Sequence, residues 1–367
     1  MKIGVPKEIK DGETRVSMTP NLCRRCVKLG AEVMVEKGAG RSSGFTDQEY
    51  ADAGAQVVRS ARKAWDAELV LKVKEPLPTE FRYFRPDLTL FTYLHLAAAR
   101  ELTAALVKRR VLGIAYESVE AMDGSLPLLK PMSHIAGRLS IQIGAYFLQT
   151  QNGGSGVLLG GIPGTMPGRV TIIGAGNSGA HACRMAAGMG ARVTILDLDT
   201  RKLETLDEEY RGHVVTLMAN PGNVEQAVAQ ADLLIGAVLL PGAKAPTVVS
   251  RDLVKTMRPG SVIVDIAIDQ GGCIETIEPT SHHDPIYLRH DVVHYAVPNM
   301  PALVGRTSTV ALTQATEPYV VALAEKGVAA ALGQHRGLSH GVNTRDGAVT
   351  NAAVAKALGY APPAPTA

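Results

Sequence analysis

The stretch VTIIGAGNSGAH, residues 170–181, decides the fold. Its first four residues are apolar or β-branched and read as a strand. Gly174, Gly176 and Gly179 then fall at G-x-G-x-x-G spacing and lead into a helix beginning SGAHACRMAAGMG. In such a turn the first glycine allows the chain to leave the strand sharply. The second lets a ligand's pyrophosphate approach the backbone, and the third lets the helix pack on the strand. Asn177 and Ser178 complete the loop. The helix N-terminus adds free N–H groups and a partial positive charge, which favour an anion. The next strand, RVTIL, runs into Asp197, eighteen residues after Gly179. An acid there accepts both ribose hydroxyls of an adenosine and repels a 2′-phosphate, so the pattern predicts NAD(H) over NADP(H). Arg201 and Lys202 follow closely and could soften that choice.

Working outward, the same alternation continues. Strands are expected at 169–173, 192–196, 213–218, 232–236 and 261–265, with helices at 178–189, 200–210 and 223–230. An earlier series has strands at 2–5, 32–36, 69–73, 88–93 and 111–115, with helices near 20–29, 46–53, 60–67 and 97–108. Strand–helix alternation predicts α/β architecture: two doubly wound parallel-sheet domains, one a Rossmann dinucleotide domain and the other Rossmann-like or flavodoxin-like. Between them, Ile135, Leu139, Ile143 and Phe147 recur at four-residue steps, predicting a long helix over 131–151 that bridges the domains. A second long helix is expected over 307–327, kinked at Pro318, and the tail GYAPPAPTA is expected to be disordered.

Composition bounds the partners. The 367 residues carry a net charge of +3, 46% hydrophobic and only 4% aromatic residues, with 37 glycines and 21 prolines. That suits an enzyme with short loops, not a base-stacking surface, and no basic block points to nucleic acid. The start lacks the apolar core of a signal peptide, and no apolar run reaches about 18 residues, so a cytoplasmic protein with no membrane partner is expected. Four cysteines agree with a reducing compartment. Cys23 and Cys26 form a C-x-x-C, but Leu22, Cys26 and Leu29 share a helical face, so they read as small apolar residues, with no second pair to complete a zinc site. His282, His283, His290 and His294 read as a solvated loop, not a metal cluster. No metal is expected.

Chemistry must come from elsewhere, because fold alone does not specify it. A dehydrogenase acting on a small acid needs a cation for the carboxylate and a group to move protons. Arg15 follows the first strand, Lys72 and Lys74 end the apolar run LVLKVKEP, and His95 follows LTLFTYL. Carboxyl ends of parallel strands are where such sites form. In VIVDIAIDQGG, Asp265 ends a strand and Asp269 lies in the loop beyond; Asn299 follows another apolar strand.

These residues together resemble a known family. MKIGVPKEIKDGETRVSMTP, LVLKVKEP, LFTYLHLA, GVLLGGIPG, IIGAGNSG, VDIAIDQGG and NMPALVGRTST, in order along nearly the whole chain, are similar to the L-alanine dehydrogenases. The N-terminal part of nicotinamide nucleotide transhydrogenase is similar at lower closeness. The resemblance implies that Arg15 and Lys74 bind the substrate, and that His95 and Asp269 are catalytic. It implies that Ser133, Gly174, Gly176, Asn177, Ser178, Gly179, Asp197, Lys202 and Asn299 bind NAD, and that Met132 lies near the substrate. It further implies a discontinuous substrate domain, residues 1–128 with 305–367, around an NAD domain at 129–304, and a homohexamer. The implied reaction is reversible oxidation of L-alanine to pyruvate and ammonium in alanine catabolism, with glyoxylate a further substrate for reduction.

Two positions depart from the family pattern. His134 stands where a glutamate is usual, and Gly305 where a second proline is usual. Different contacts near Ser133 and a less rigid domain junction are therefore expected. Two other functions compete. A transhydrogenase-type subunit would need a docking loop where ILDLDTRKLETLDEEYRGHVVTL moves compactly on, and would not need Lys74 and His95. A non-catalytic NAD(H) sensor would bind the cofactor without turnover, leaving Arg15 and His95 dispensable.

Overall fold

A computed structural model describes residues 1–238 and 245–361. The chain divides into two compact units, Met1–Met132 with Ala302–Ala367, and Ser133–Pro301.

The first unit opens with β1 (Lys2–Val5), β2 (Glu32–Glu36), β3 (Gln56–Val58), β4 (Leu69–Leu71), β5 (Thr89–Thr92) and β6 (Leu112–Ala115). All six pair in parallel, in the order β6-β5-β4-β1-β2-β3. The middle strands β4 and β5 are buried along their whole length. Continuous burial fits a parallel sheet covered on both faces, which reads in sequence as unbroken apolar runs. Val70, Leu90, Trp65, Leu102 and Leu106 belong to one core cluster of this unit.

The second unit is built on β7 (Arg169–Ile173), β8 (Arg192–Asp197), β9 (Val214–Met218), β10 (Leu233–Gly236) and β11 (Val262–Asp265), followed by β12 (Ile286–Arg289) and β13 (Val292–Tyr295). Their order is β12-β13-β11-β10-β7-β8-β9. From β7 the chain winds outward to β9, then returns to β10 and winds the other way. The reversal places a topological switch point between β7 and β10, the crevice where such sheets bind ligands.

Both sheets end in antiparallel strands that the expected all-parallel pattern omits. β12 pairs antiparallel with β13 through a turn at His290 and Asp291, both at positive φ. The stretch 286–295 is therefore a hairpin, not the solvated loop expected of the histidine cluster, and His294 is fully buried. In the first unit β14 (Val342–Arg345) and β15 (Ala348–Val349) add a hairpin beside β6. Its turn is Asp346-Gly347, both at positive φ, the dipeptide favoured in two-residue hairpins.

The long helices form as Lys130–Phe147 and Gly305–Lys326, the latter continuous through Pro318. The Cys23 and Cys26 thiols lie on the buried face of helix Pro20–Lys28, where burial pushes them up to about 11 and about 12. Both are inert at neutral pH. Of the tail, residues 362–367 lie outside the described part. Among the described residues no helix is long and apolar enough to cross a membrane.

Candidate functional site

Arg15 sits in the segment after β1, and its side chain is almost wholly buried. A buried guanidinium requires a partner, because removing a charge from water is costly. Glu13 supplies it. The Arg15 Nε and Nη2 donate to the two Glu13 carboxylate oxygens at 2.7 and 2.6 Å, and the Arg15 amide adds a third bond at 2.9 Å. Burial works against the Arg15 charge, but the Glu13 hydrogen bonds and charge prevail and hold its pKa above the ordinary arginine value. Nη1 points at the Met132 sulfur, 3.1 Å away. The segment is tied to the sheet by Ser17, whose Oγ donates to the Leu71 carbonyl at 2.8 Å.

The two lysines of LVLKVKEP separate. Lys72 turns into the interior, between Glu8 at 2.9 Å and Glu80 at 3.1 Å. Burial opposes its charge, and the two carboxylates outweigh burial. It is a buried ion cluster that pins the end of β4, and it leaves the candidate set. Lys74, two residues on, is half-buried. His95 lies three residues beyond β5, on an exposed turn. Its backbone is left-handed, φ 49° and ψ 38°, which is uncommon for a residue with a side chain. Its ring lies parallel to that of Tyr93, with centroids 5.9 Å apart. The Tyr93 hydroxyl donates to the Leu128 carbonyl at 2.6 Å. Because β1, β4 and β5 are adjacent and parallel, Arg15, Lys74 and His95 all follow carboxyl ends of neighbouring strands.

In the second unit two of the three loop glycines have a geometric reason within the chain. Gly174 has φ 102°, and a Cβ there would stand 2.7 Å from the Ala237 carbonyl oxygen. A Cβ on Gly179 would overlap the Gly174 carbonyl oxygen at 1.7 Å, so helix Asn177–Gly188 can pack only with glycine there. A Cβ on Gly176 would meet nothing within 4 Å. Packing within the chain does not demand that glycine; a ligand lying against the backbone would. The loop residues Asn177 and Ser178 open the helix and are not buried. The residues present therefore fit a dinucleotide.

Asp197 ends β8 as expected. Its carboxylate accepts from the Ala175 amide at 2.6 Å and the Asp199 amide at 2.8 Å, and pairs with Lys202 Nζ at 3.4 Å. Arg201 is engaged elsewhere: its guanidinium meets both oxygens of Asp199 at 3.1 Å.

Ser133 lies in the first turn of helix Lys130–Phe147, half-buried, and its neighbour His134 stacks on His181 with ring centroids 3.7 Å apart. One turn on, Gly137 comes against the Ser178 carbonyl, where a Cβ would lie at 2.0 Å. Arg138 Nε donates to His181 Nδ1 at 3.1 Å. Burial first, and then the His134, Arg138 and Arg184 charges, together lower the His181 pKa to about 4. At His134 the chain carries a stack of two rings beside the glycine loop.

Asp265 and Asp269 also separate. Asp265 is buried at the end of β11, accepting from the Ala267 amide at 2.9 Å and the Cys273 amide at 2.8 Å. Burial raises its pKa to about 6. It fixes the turn Ile266–Gln270, on which Asp269 stands exposed. Asn299 follows the neighbouring strand β13, half-buried, with φ 58°. Gly305 lies against Thr14, where a Cβ would come 2.4 Å from the Thr14 hydroxyl oxygen. A side chain there would press on Thr14, so close packing in this chain favours a glycine at 305. Among the described residues no three His, Cys, Asp or Glu side chains form a metal-binding group. Reading the sequence missed Glu13 and Glu117, each a carboxylate that holds a candidate residue; Glu13 lay within the quoted segment, two residues from Arg15.

Comparison with known proteins identifies the family. Residues 4–136 match the family model "Alanine dehydrogenase/PNT, N-terminal domain", and residues 140–352 match "Alanine dehydrogenase/PNT, C-terminal domain". An alanine dehydrogenase of Staphylococcus haemolyticus is 55% identical over 98% of this chain and 96% of its own. "Alanine dehydrogenase 2" of Staphylococcus aureus is 54% identical at the same coverage. A solved L-alanine dehydrogenase superposes with a TM-score of 0.96 at 53% identity, over 98% of this chain and 99% of that one. A transhydrogenase from Sinorhizobium meliloti shares the fold, with a TM-score of 0.82 at 23% identity. Two domain models that together cover nearly the whole chain, and relatives above half identity along it, leave one assignment: the chain belongs to the alanine dehydrogenase/PNT family.

Proposed function

We propose that this chain is an L-alanine dehydrogenase, catalysing L-alanine + NAD⁺ + H₂O ⇌ pyruvate + NH₄⁺ + NADH + H⁺. The observation that carries the reading is the buried Arg15, charged and oriented by Glu13, following the same strand ends as Lys74 and His95. A buried, oriented cation suits a small carboxylate, and a carboxylate is a far stronger acceptor for Nη1 than the Met132 thioether.

In this reading the first unit binds substrate and the second binds NAD. Arg15 and Lys74 hold the carboxylate, so that orientation lowers the entropic part of the barrier. The glycine loop Gly174, Gly176, Asn177, Ser178 and Gly179 receives the pyrophosphate, and Asp197 with Lys202 receives the adenosine ribose. Ser133 and Asn299 complete the cofactor contacts. The nicotinamide supplies the acceptor for the hydride on the alanine Cα. The substrate is left as an imine, to which water adds and from which ammonia departs. Each step moves a proton at the former amino nitrogen or the new hydroxyl. An imidazole has one nitrogen that donates and one that accepts, which suits that transfer, so His95 carries the protons and Asp269 orients the water and stabilises the cationic imine. A small pocket would favour alanine over larger amino acids, each extra methylene costing about 1–3 kcal/mol. The working form is a cytoplasmic homohexamer.

The decisive assay follows nicotinamide absorbance with pyruvate and ammonium, beside one lacking ammonium and one with NADPH. Ammonium-dependent loss of NADH, absent with NADPH, is the expected result. Tight NADH binding without turnover would overturn it in favour of an NAD(H) sensor.

A further inference from the structure

The His95 backbone is held in its unusual shape by a residue that the proposed mechanism does not use. Glu117 stands in the turn Tyr116–Ser118 directly after β6, the strand parallel to β5. Thr92 and Ala115 are register partners in those strands, so the two carboxyl ends run out side by side. Across them the half-buried Glu117 carboxylate accepts from the His95 amide at 2.6 Å. It also accepts from the Leu94 amide at 3.2 Å, through each oxygen. Two successive amides thus converge on one anion. Successive N–H groups turned to one side form a concave anion site, a geometry that includes a left-handed residue. At His95 the left-handed residue is present and the anion is the protein's own side chain.

We infer that Glu117 is a positioning residue for His95: its carboxylate fixes the left-handed turn and so aims the imidazole, which Tyr93 supports from one face. The inference rests on the proposed proton-transfer role of His95. A side chain leaving a left-handed residue points in a different direction from one leaving an extended residue. Without the carboxylate the turn relaxes toward ordinary backbone and the ring leaves its place. Misplacement of a reacting group by about 1 Å costs on the order of 100-fold in rate.

The test uses Glu117→Ala, Glu117→Gln, Glu117→Asp, His95→Ala and the double variant, in the full-length protein. Glu117→Ala is expected to lower kcat by about 100-fold while the KM for pyruvate and the NADH dissociation constant move less than about threefold. Gln keeps an acceptor oxygen at the same reach, so Glu117→Gln recovers most of the loss. Asp keeps the charge but is too short to span both amides, so Glu117→Asp does not. In the His95→Ala background, Glu117→Ala costs nothing further, because the two residues act as one unit. Should Glu117→Ala fail to fold, the Gln and Asp variants alone decide. A Glu117→Asp kcat equal to or above that of Glu117→Gln would overturn positioning through hydrogen bonds. An additive loss in the double variant would also overturn it. A His95→Ala enzyme with undiminished kcat would instead remove the role proposed for His95, a separate failure.

Discussion

Glu13 and Arg15 form a two-pronged ion pair with both side chains almost fully shielded from water, 0% and 2% exposed. The carboxylate offers both oxygens to the planar fork of the guanidinium, the strongest arrangement available to this pair. It engages Nε and Nη2 of the guanidinium, while Nη1 faces the Met132 sulfur.

Loss of Glu13 should therefore act on fold and on binding together. Glu13→Ala takes the two-pronged carboxylate away from a buried cation, and breaking such a pair costs about 3–5 kcal/mol. Urea unfolding should show a loss of that size, and the KM for pyruvate should rise at least about tenfold because the fork is no longer aimed. Unchanged stability and KM would mean that other groups orient Arg15.

The glycine loop offers a contrast between two alanine substitutions three residues apart. Gly179→Ala drives a Cβ into the Gly174 carbonyl, 1.7 Å away, and the backbone has no room to yield. It should destabilise the second unit by about 3 kcal/mol or more. Gly176→Ala meets nothing within 4 Å, so the melting temperature should stay within about 2 °C. NADH titration should nonetheless show at least about tenfold weaker binding, because the methyl occupies the space of the pyrophosphate. Normal NADH affinity in Gly176→Ala would place the cofactor elsewhere.

Asp197 sets cofactor choice in the proposed function, and its surroundings say how far one substitution can change it. Asp197→Ala removes the charge that repels a 2′-phosphate and leaves the Lys202 amine, now 3.4 Å from Asp197, without that partner. Arg201 stays on Asp199 and contributes little. The ratio of kcat/KM for NADPH over NADH should rise by about 100-fold, from both lost ribose contacts and relieved repulsion. A ratio that does not move would assign discrimination to another residue.

Where the sequence was legible and where it was not follows from the range of the interactions. The turn at 174–179 is written locally, since Gly174 and Gly179 answer a contact or torsion within a few residues or the adjoining strand, and the strand–helix alternation beside it is equally local. The antiparallel edges were harder. The turn His290-Asp291 carries no glycine, so the hairpin β12–β13 gave no ordinary turn signal. Asp346-Gly347 did give one, but it joins a strand of four residues to one of two, too short for any alternation to register. Lys72 and Lys74 look alike in sequence, and only Glu8 and Glu80, brought in from other segments, separate a buried ion cluster from a half-buried lysine at the strand end. Glu117 was invisible for the same reason: its meaning lies in the parallel pairing of β5 with β6, 22 residues away in the chain from His95.

Two buried groups of the second unit titrate against each other and give it a characteristic response to acid. His294 is neutral in the fold, with Nδ1–H donating to the Val292 carbonyl at 2.9 Å and Nε2 accepting from the Thr276 hydroxyl at 2.8 Å. Burial lowers its pKa from 6.5 to about 4. The unfolded chain then binds the proton first, so stability is full above pH 6.5 and declines as the pH falls toward 4, by about 3 kcal/mol in all. Asp265 has the opposite sign. Burial raises its pKa from 3.8 to about 6, the folded protein binds the proton first, and stability declines as the pH rises from about 4 to about 6, by a similar amount. In the unmodified protein the two slopes largely cancel. Asp265→Asn should expose the histidine slope, losing about 3 kcal/mol between pH 6.5 and 4 relative to its own value at neutral pH. His294→Asn should expose the aspartate slope and gain relative stability on acidification. Urea unfolding of the three proteins at half-unit pH steps measures both slopes. Parallel curves for all three would show that neither group changes its protonation on folding in this range.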